Sequence, residues 1–287
     1  MDFKEHSKEI WTLYNSLDWN SSIFSDKKSL VCALISELAY EHLPQFELNK
    51  KSRIKIIPSE TYWLKYQRKE TFNISDVIGD MDFADNFIIE SENLILIGIK
   101  LKETLFITVR GTQSLNDVLV DINFLPRNNY SFHSGFFKAS INELQNIKTE
   151  LNNYSNCNIY LTGHSLGGAV ASILNNLMEV ELKDFLNEKK LTVKSCYTFG
   201  MPRFGNSNAM RSIISPYQIY NPNDIVPLLP PKSFGYQNVP IEYKLTNNIV
   251  LKPNRGKSTI MRLWGLLTLG DFTSHFISLY CNRLRNL

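Results

Sequence analysis

Residues 158–171 read NIYLTGHSLGGAVA, and this stretch decides the fold. Ile159, Tyr160 and Leu161 form an apolar run of strand length. Gly163, Gly167, Gly168 and Ala169 then crowd small residues around Ser165. From Leu166 to Val180 the apolar residues recur at helical spacing. A strand, a tight turn and a helix therefore follow one another without a linker. The centre, Gly163-His164-Ser165-Leu166-Gly167, has the G-x-S-x-G pattern of a nucleophile elbow. Such a turn holds its serine in a strained backbone conformation, so the neighbours must be nearly free of side chains. It lifts the hydroxyl above the carboxyl end of a sheet, and the following helix N-terminus favours negative charge there.

Outward from the elbow, strand and helix patterns alternate. Ser140–Asn153 has Ile141, Leu144, Ile147 and Leu151 at helical spacing, and Thr192–Phe199 and Tyr217–Tyr220 read as strands. This alternation predicts a mainly parallel sheet covered by helices on both faces. Upstream, Phe87–Ile89, Leu94–Leu101 and Leu105–Val109 are strand-like and separated by short breaks, which predicts an antiparallel meander at one edge. A short strand is also expected at Ile54–Ile57. Residues 1–45 read as helical up to Pro44, and Phe272–Leu284 as a C-terminal helix. No repeat or Pro/Gly-rich linker divides the chain, so we expect one α/β domain over 1–287, with 1–80 as a helical extension upon it.

Composition narrows the function. Hydrophobic residues make up 43% of 287, enough for a large core. The net charge of +3 is too small to indicate a nucleic-acid partner. The start, MDFKEHSKEIW, lacks the basic and apolar regions of a secretory signal. No apolar run reaches the roughly 18 residues of a membrane span. Cys32, Cys157, Cys196 and Cys281 are scattered and form no CxxC, which points to buried free thiols and away from zinc or redox pairs. The expected location is cytoplasmic, or outside the cell by a route without a cleaved signal.

A serine hydroxyl needs a base to become a nucleophile. In α/β-hydrolases the order along the chain is Ser, then Asp or Glu, then His. The five histidines are His6, His42, His133, His164 and His275. Three precede the elbow, and the turn directs the His164 side chain away from the hydroxyl of its neighbour. His275 alone follows Ser165. The orienting acid must lie between them, at a strand end. Glu179, Glu181, Asp184 and Glu188 fall in or after the elbow helix, Glu242 in a hairpin or loop, and Asp271 beside the expected C-terminal helix. Asp224 follows the strand Tyr217–Tyr220 in YNPNDIVPLLPP, where turn residues and prolines stiffen the chain. For the oxyanion, the N–H of Leu166 is one expected donor and Thr112, at the end of the strand FITVRGT, the other.

These residues resemble the class 3 lipases, the fungal-lipase-like branch of the α/β-hydrolases. The resemblance rests on VRGT (109–112), HSGF (133–136), LTGHSLGGAVA (161–171), YTFGMPRFGN (197–206), NDIVPLLPP (223–231) and the late His275, with SELAY (36–40) upstream. It implies an α/β-hydrolase fold and a serine hydrolase of acylglycerol or phospholipid esters that needs no cofactor or metal. It carries Ser165, Asp224 and His275 over as a catalytic triad, and Thr112 with Leu166 as the oxyanion hole. It further implies a lid in Gln113–Phe132, where Leu115, Val118, Leu119 and Ile122 share one helical face. Asn116-Asp117 stands where many relatives carry tryptophan. Separately, Lys252–Phe272 places Lys252, Arg255, Lys257 and Arg262 beside Leu263, Trp264, Leu266 and Leu267, a composition suited to peripheral contact with anionic lipid. Two further readings compete with the hydrolase: a hydrolase-fold binding or scaffold protein without catalysis, and a lipolytic effector or toxin acting on the membranes of a target cell.

Overall fold

The structure is a computed structural model, and it describes residues 3–41, 85–91, 94–111, 131–251 and 273–287. Thr112, most of Gln113–Phe132, the strand expected at Ile54–Ile57, Pro44, Asp271 and all of Lys252–Phe272 lie outside these residues.

Among the described residues, eight strands form one sheet whose spatial order is the order of the chain, β1 to β8. β1 (Asp85–Ser91), β2 (Leu94–Leu101) and β3 (Thr104–Val109) make the antiparallel meander. β3, β4 (Asn158–His164), β5 (Thr192–Phe199), β6 (Tyr217–Tyr220) and β7 (Glu242–Leu245) run parallel. β8 (Ile249–Leu251) returns antiparallel to β7. Glu242 thus opens the β7–β8 hairpin.

Two cores form because side chains alternate across each strand. On one face, Leu105, Ile107, Ile159 and Leu161 meet α3 (Ser134–Leu151) and α4 (Leu166–Glu181). On the other, Phe106, Tyr160, Tyr197 and Ile219 meet α1 (Phe3–Asn15), α2 (Asp26–Leu38) and α7 (Ile277–Arg285). Two short helices, α5 (Lys183–Glu188) and α6 (Ser207–Ser212), complete the helical set among the described residues. α2 is buried on nearly all sides, including Val31, Cys32, Ala33, Leu34 and Ile35, because the sheet covers one flank and α1 with α7 the others. Ser25 caps its N-terminus by accepting from the Lys28 N–H. Lys28 is itself buried: its ammonium donates to the Ser21 carbonyl and lies 5.6 Å from the ring centres of Trp19 and Tyr160.

Two helices differ from their sequence limits. α3 begins six residues before Ser140, because HSGF already turns in helical register behind the extended His133. His275 does not sit on the C-terminal helix. It ends a 3₁₀ turn, Thr273–His275, and α7 starts only at Ile277. All four cysteines are buried free thiols.

Candidate active site

The registers of the parallel strands gather the site. Val109 pairs with Gly163, His164 with Phe199, and Phe199 with Ile219. The residues that follow each strand (Gly111, Ser165, Gly200 and Asn221) therefore emerge along one carboxyl edge. Two ladder bonds extend past the strand ends, from Ser165 N–H to the Phe199 carbonyl at 2.9 Å and from Gly200 N–H to the Ile219 carbonyl at 3.0 Å.

Ser165 has φ 59° and ψ −132°, a left-handed conformation that disfavours any side chain with a Cβ. Strain of this kind costs about 1–3 kcal/mol and persists only where the surroundings enforce it. Here close backbone contacts enforce it. A Cβ at Gly163 would lie 2.5 Å from the Gly167 carbonyl oxygen, and one at Gly167 would collide with the Val109 carbonyl. The glycines thus let α4 press against β3 and β4.

Ser165, His275 and Asp224 come together. The Ser165 Oγ lies 2.8 Å from His275 Nε2, and His275 Nδ1 lies 2.8 Å from Asp224 Oδ2. Ser165, Asp224 and His275 are each less than 5% exposed. With Nδ1–H donated to the carboxylate, Nε2 keeps its lone pair for the serine proton. The Val226 N–H donates to Asp224 Oδ1 at 2.9 Å, so both carboxylate oxygens are held. Leu166 opens α4, where an N–H has no carbonyl four residues back to bond. Thr112 lies outside the described residues. Its neighbour Gly111 runs beside the serine: a Cβ there would stand 3.3 Å from Ser165 Cβ.

Four residues join the site that were not singled out in the sequence. Tyr280 on α7 donates its hydroxyl to Asp224 Oδ2 at 2.6 Å and accepts from the Asn221 N–H at 3.1 Å. Asn221 donates its amide to the Ser274 carbonyl at 2.9 Å, which ties the turn bearing His275 to the end of β6. Gly200, with φ 58°, lies against the Asp224–His275 pair: a Cβ there would be 2.7 Å from Asp224 Oδ2 and 3.0 Å from His275 Nδ1. Tyr40, in the 3₁₀ turn Ala39–Glu41 after α2, reaches His164 Nδ1 at 2.8 Å. A hydrophobic neighbour at a strand end carries no signal of such contacts. Only Tyr280, close behind His275, could have been raised from chain proximity.

The His164 ring points away from the serine hydroxyl, and its Nε2 lies 2.6 Å from the His275 carbonyl oxygen. Burial first, then the neighbouring His275, hold its pKa well below the usual histidine value, so the ring is neutral. Among the described residues no cluster of His, Cys, Asp and Glu could hold a metal ion, and no helix is long and apolar enough to cross a membrane.

Residues 106–234 match the family model described as Lipase (class 3). The chain is similar to the protein named Lipase from Rhizomucor miehei, 32% identical over 161 residues, which cover 51% of this chain and 43% of that protein. It is also similar to secreted mono- and diacylglycerol lipase 1 of Fusarium solani, 28% identical over 157 residues, or 50% of this chain and 44% of that protein. The aligned region thus spans less than half of either relative. Among solved structures, the lipase from Rhizopus microsporus var. chinensis superposes with a TM-score of 0.56 at 20% identity, covering 86% of this chain and 85% of that one. The native Rhizomucor miehei lipase propeptide complex gives 0.54 at 21% identity, covering 84% and 78%. These likenesses identify the fold as that of the α/β-hydrolases.

Proposed function

Because residues 106–234 match the class 3 lipase family model, we propose that the chain is a serine carboxylic-ester hydrolase that cleaves fatty-acyl esters of glycerolipids, triacylglycerol or phospholipid, through an acyl-enzyme. One observation carries the reading: the buried, unbroken line from Ser165 Oγ through His275 to Asp224, with two 2.8 Å contacts. His275 Nε2 takes the hydroxyl proton as Ser165 Oγ attacks the ester carbonyl. The Nδ1–H remains donated to Asp224, whose charge stabilises the imidazolium that forms. The tetrahedral oxyanion is received by the N–H groups of Leu166 and Thr112, at the positive end of α4. Proton return from Nε2 to the leaving alkoxide expels the glycerol portion, and a water activated by the same nitrogen releases the fatty acid. The reaction requires no metal or organic cofactor. Gln113–Phe132 acts as the lid and Lys252–Phe272 as a second lipid-facing element. The relatives named lipases support the coarser part of this reading, ester hydrolysis.

The test is covalent labelling followed by turnover. A fluorophosphonate should modify Ser165, and Ser165→Ala or His275→Ala should lower ester hydrolysis by roughly three to six orders of magnitude without loss of folding. Wild-type turnover in either variant refutes the assignment. A folded chain that takes no label at Ser165 is the scaffold reading instead. Products released from mixed neutral and phospholipid vesicles then identify the head group, and cleavage confined to bilayer phospholipid is the outcome the effector reading requires.

A further inference from the structure

Hydrogen bonds link three segments behind the reacting atoms. The His275 carbonyl oxygen can only accept, so the neutral His164 ring must offer it a proton from Nε2. The Tyr40 phenol, 2.8 Å from His164 Nδ1, is then the donor on the other side of the ring. Nδ1 thus accepts, and Nε2–H donates to the His275 carbonyl at 2.6 Å. The opposite tautomer would set a nitrogen lone pair against the carbonyl oxygen. The two rings lie face to face at a tilt, centroids 4.6 Å apart. A positive charge on His164 would therefore oppose the imidazolium that His275 has to become.

We propose that His164 is a positioning residue for the reaction inferred above, on which this inference rests: its Nε2–H fixes the backbone of the base at His275, and Tyr40, from the N-terminal segment, selects the tautomer able to do so. The need is local. His275 ends a 3₁₀ turn, not a helix, so regular backbone bonding does not hold it. Its turn is fastened from two sides by side chains, Asn221 on the Ser274 carbonyl at 2.9 Å and His164 on the His275 carbonyl. A misplacement of about 1 Å at a reacting group costs on the order of 10²-fold in rate. The N-terminal segment thus contributes to the site through Tyr40.

The full chain would be compared with His164→Gln, His164→Leu and Tyr40→Phe. Two measurements serve: kcat and KM on a soluble short-chain p-nitrophenyl ester, and the far-downfield proton NMR signal of the His275 Nδ1–H···Asp224 bond. Glutamine can return an N–H to the position of Nε2, whereas leucine cannot. We expect His164→Leu to lower kcat by roughly 30–100-fold with KM within about twofold, and to broaden the downfield signal. His164→Gln should recover to within about fivefold and keep the signal, while Tyr40→Phe should fall about 3–10-fold. Wild-type kcat and an unchanged signal in His164→Leu overturn the proposal, as does equal impairment in the leucine and glutamine variants. If His164→Leu does not fold, Tyr40→Phe decides: wild-type kcat and signal there overturn it as well. A wild-type chain without esterase activity whose signal still depends on His164 would sink the functional reading and leave the positioning role standing.

Discussion

Replacing Tyr280 with phenylalanine removes a single oxygen from beneath the acid of the site. That oxygen bonds Asp224 Oδ2 at 2.6 Å and accepts from the Asn221 N–H at 3.1 Å. The Asp224 side chain has no exposed surface, so no water restores the lost donor without rearrangement. A hydrogen bond to a buried charge contributes about 1.5–3 kcal/mol, and an amide left without its acceptor costs about 1 kcal/mol more. The expected loss of folding stability is therefore about 2.5–4 kcal/mol, tolerable against a typical total of about 5–15 kcal/mol. Turnover should suffer less. The carboxylate keeps the His275 Nδ1–H at 2.8 Å and the Val226 N–H at 2.9 Å, so it stays near its place with one restraint fewer. A fall in kcat of roughly 3–30-fold corresponds to about 0.7–2 kcal/mol of transition-state stabilisation. Urea unfolding monitored by tryptophan fluorescence gives the first quantity, and initial rates on a short-chain ester give the second. A variant with wild-type midpoint and wild-type kcat would refute the reasoning. So would a variant as inactive as Ser165→Ala but fully stable, since that would assign Tyr280 a chemical role the geometry does not give it.

Gly200→Ala should be worse than its size indicates. The residue has φ 58°, and the new methyl would press within 2.7 Å of Asp224 Oδ2 and 3.0 Å of His275 Nδ1, so labelling of Ser165 by a fluorophosphonate should slow by at least about 10-fold while the far-UV spectrum stays native. His6 makes stability depend on pH. Burial, assisted by Arg285, lowers its pKa below 6.5, although the Leu34 carbonyl and Glu9 act in the opposite sense. The unfolded chain therefore binds the proton more readily, and the His6 contribution is intact above pH about 6.5 and lost as pH falls below it. The urea midpoint should drop between pH 7.5 and 5.5, and His6→Gln should flatten that drop; an equal drop in both proteins rules out His6 as the cause. Arg285 bonds both Glu9 oxygens, yet the two side chains are 33% and 30% exposed. Arg285→Ala should cost less than about 1 kcal/mol in the same unfolding assay, and a much larger loss would mean the pair is worth more than surface ion pairs are.

The parts of this molecule legible in the sequence are those whose constraints are local. The elbow announces itself because a strained serine between a strand and a helix requires small neighbours within a few positions. The strand limits of β5 and β6 follow from apolar runs bounded by turn residues. Ser165 and His275 could be nominated by chain order, since a single histidine follows the elbow, and Asp224 by its place in the turn after the strand Tyr217–Tyr220. What escaped depends on which segments become neighbours. Tyr40 and His164 are 124 residues apart, and nothing in SELAY says that its tyrosine will end beneath an imidazole. Gly200 reads as the end of a strand, and its closeness to Asp224 and His275 exists only once β5 and β6 are in register. The 3₁₀ turn under His275 was hidden because its apolar neighbours continue the helical spacing of α7 backwards. The β7–β8 hairpin is legible only as a hairpin or loop at Glu242, for a simpler reason. Its strands have four and three residues, too short to establish an alternation.

The strands lie across the sheet in the order in which they occur in the chain. During synthesis from the N-terminus, each new strand meets a partner that is already in place, so no edge waits long for a distant segment. Among the described residues the turn bearing His275 follows the last strand. A ribosome-bound chain therefore presents these strands, with Ser165 and Asp224 along their carboxyl edge, before the His275 turn can join them. The order of synthesis leaves the proposed nucleophile without its proposed base until that sheet is built.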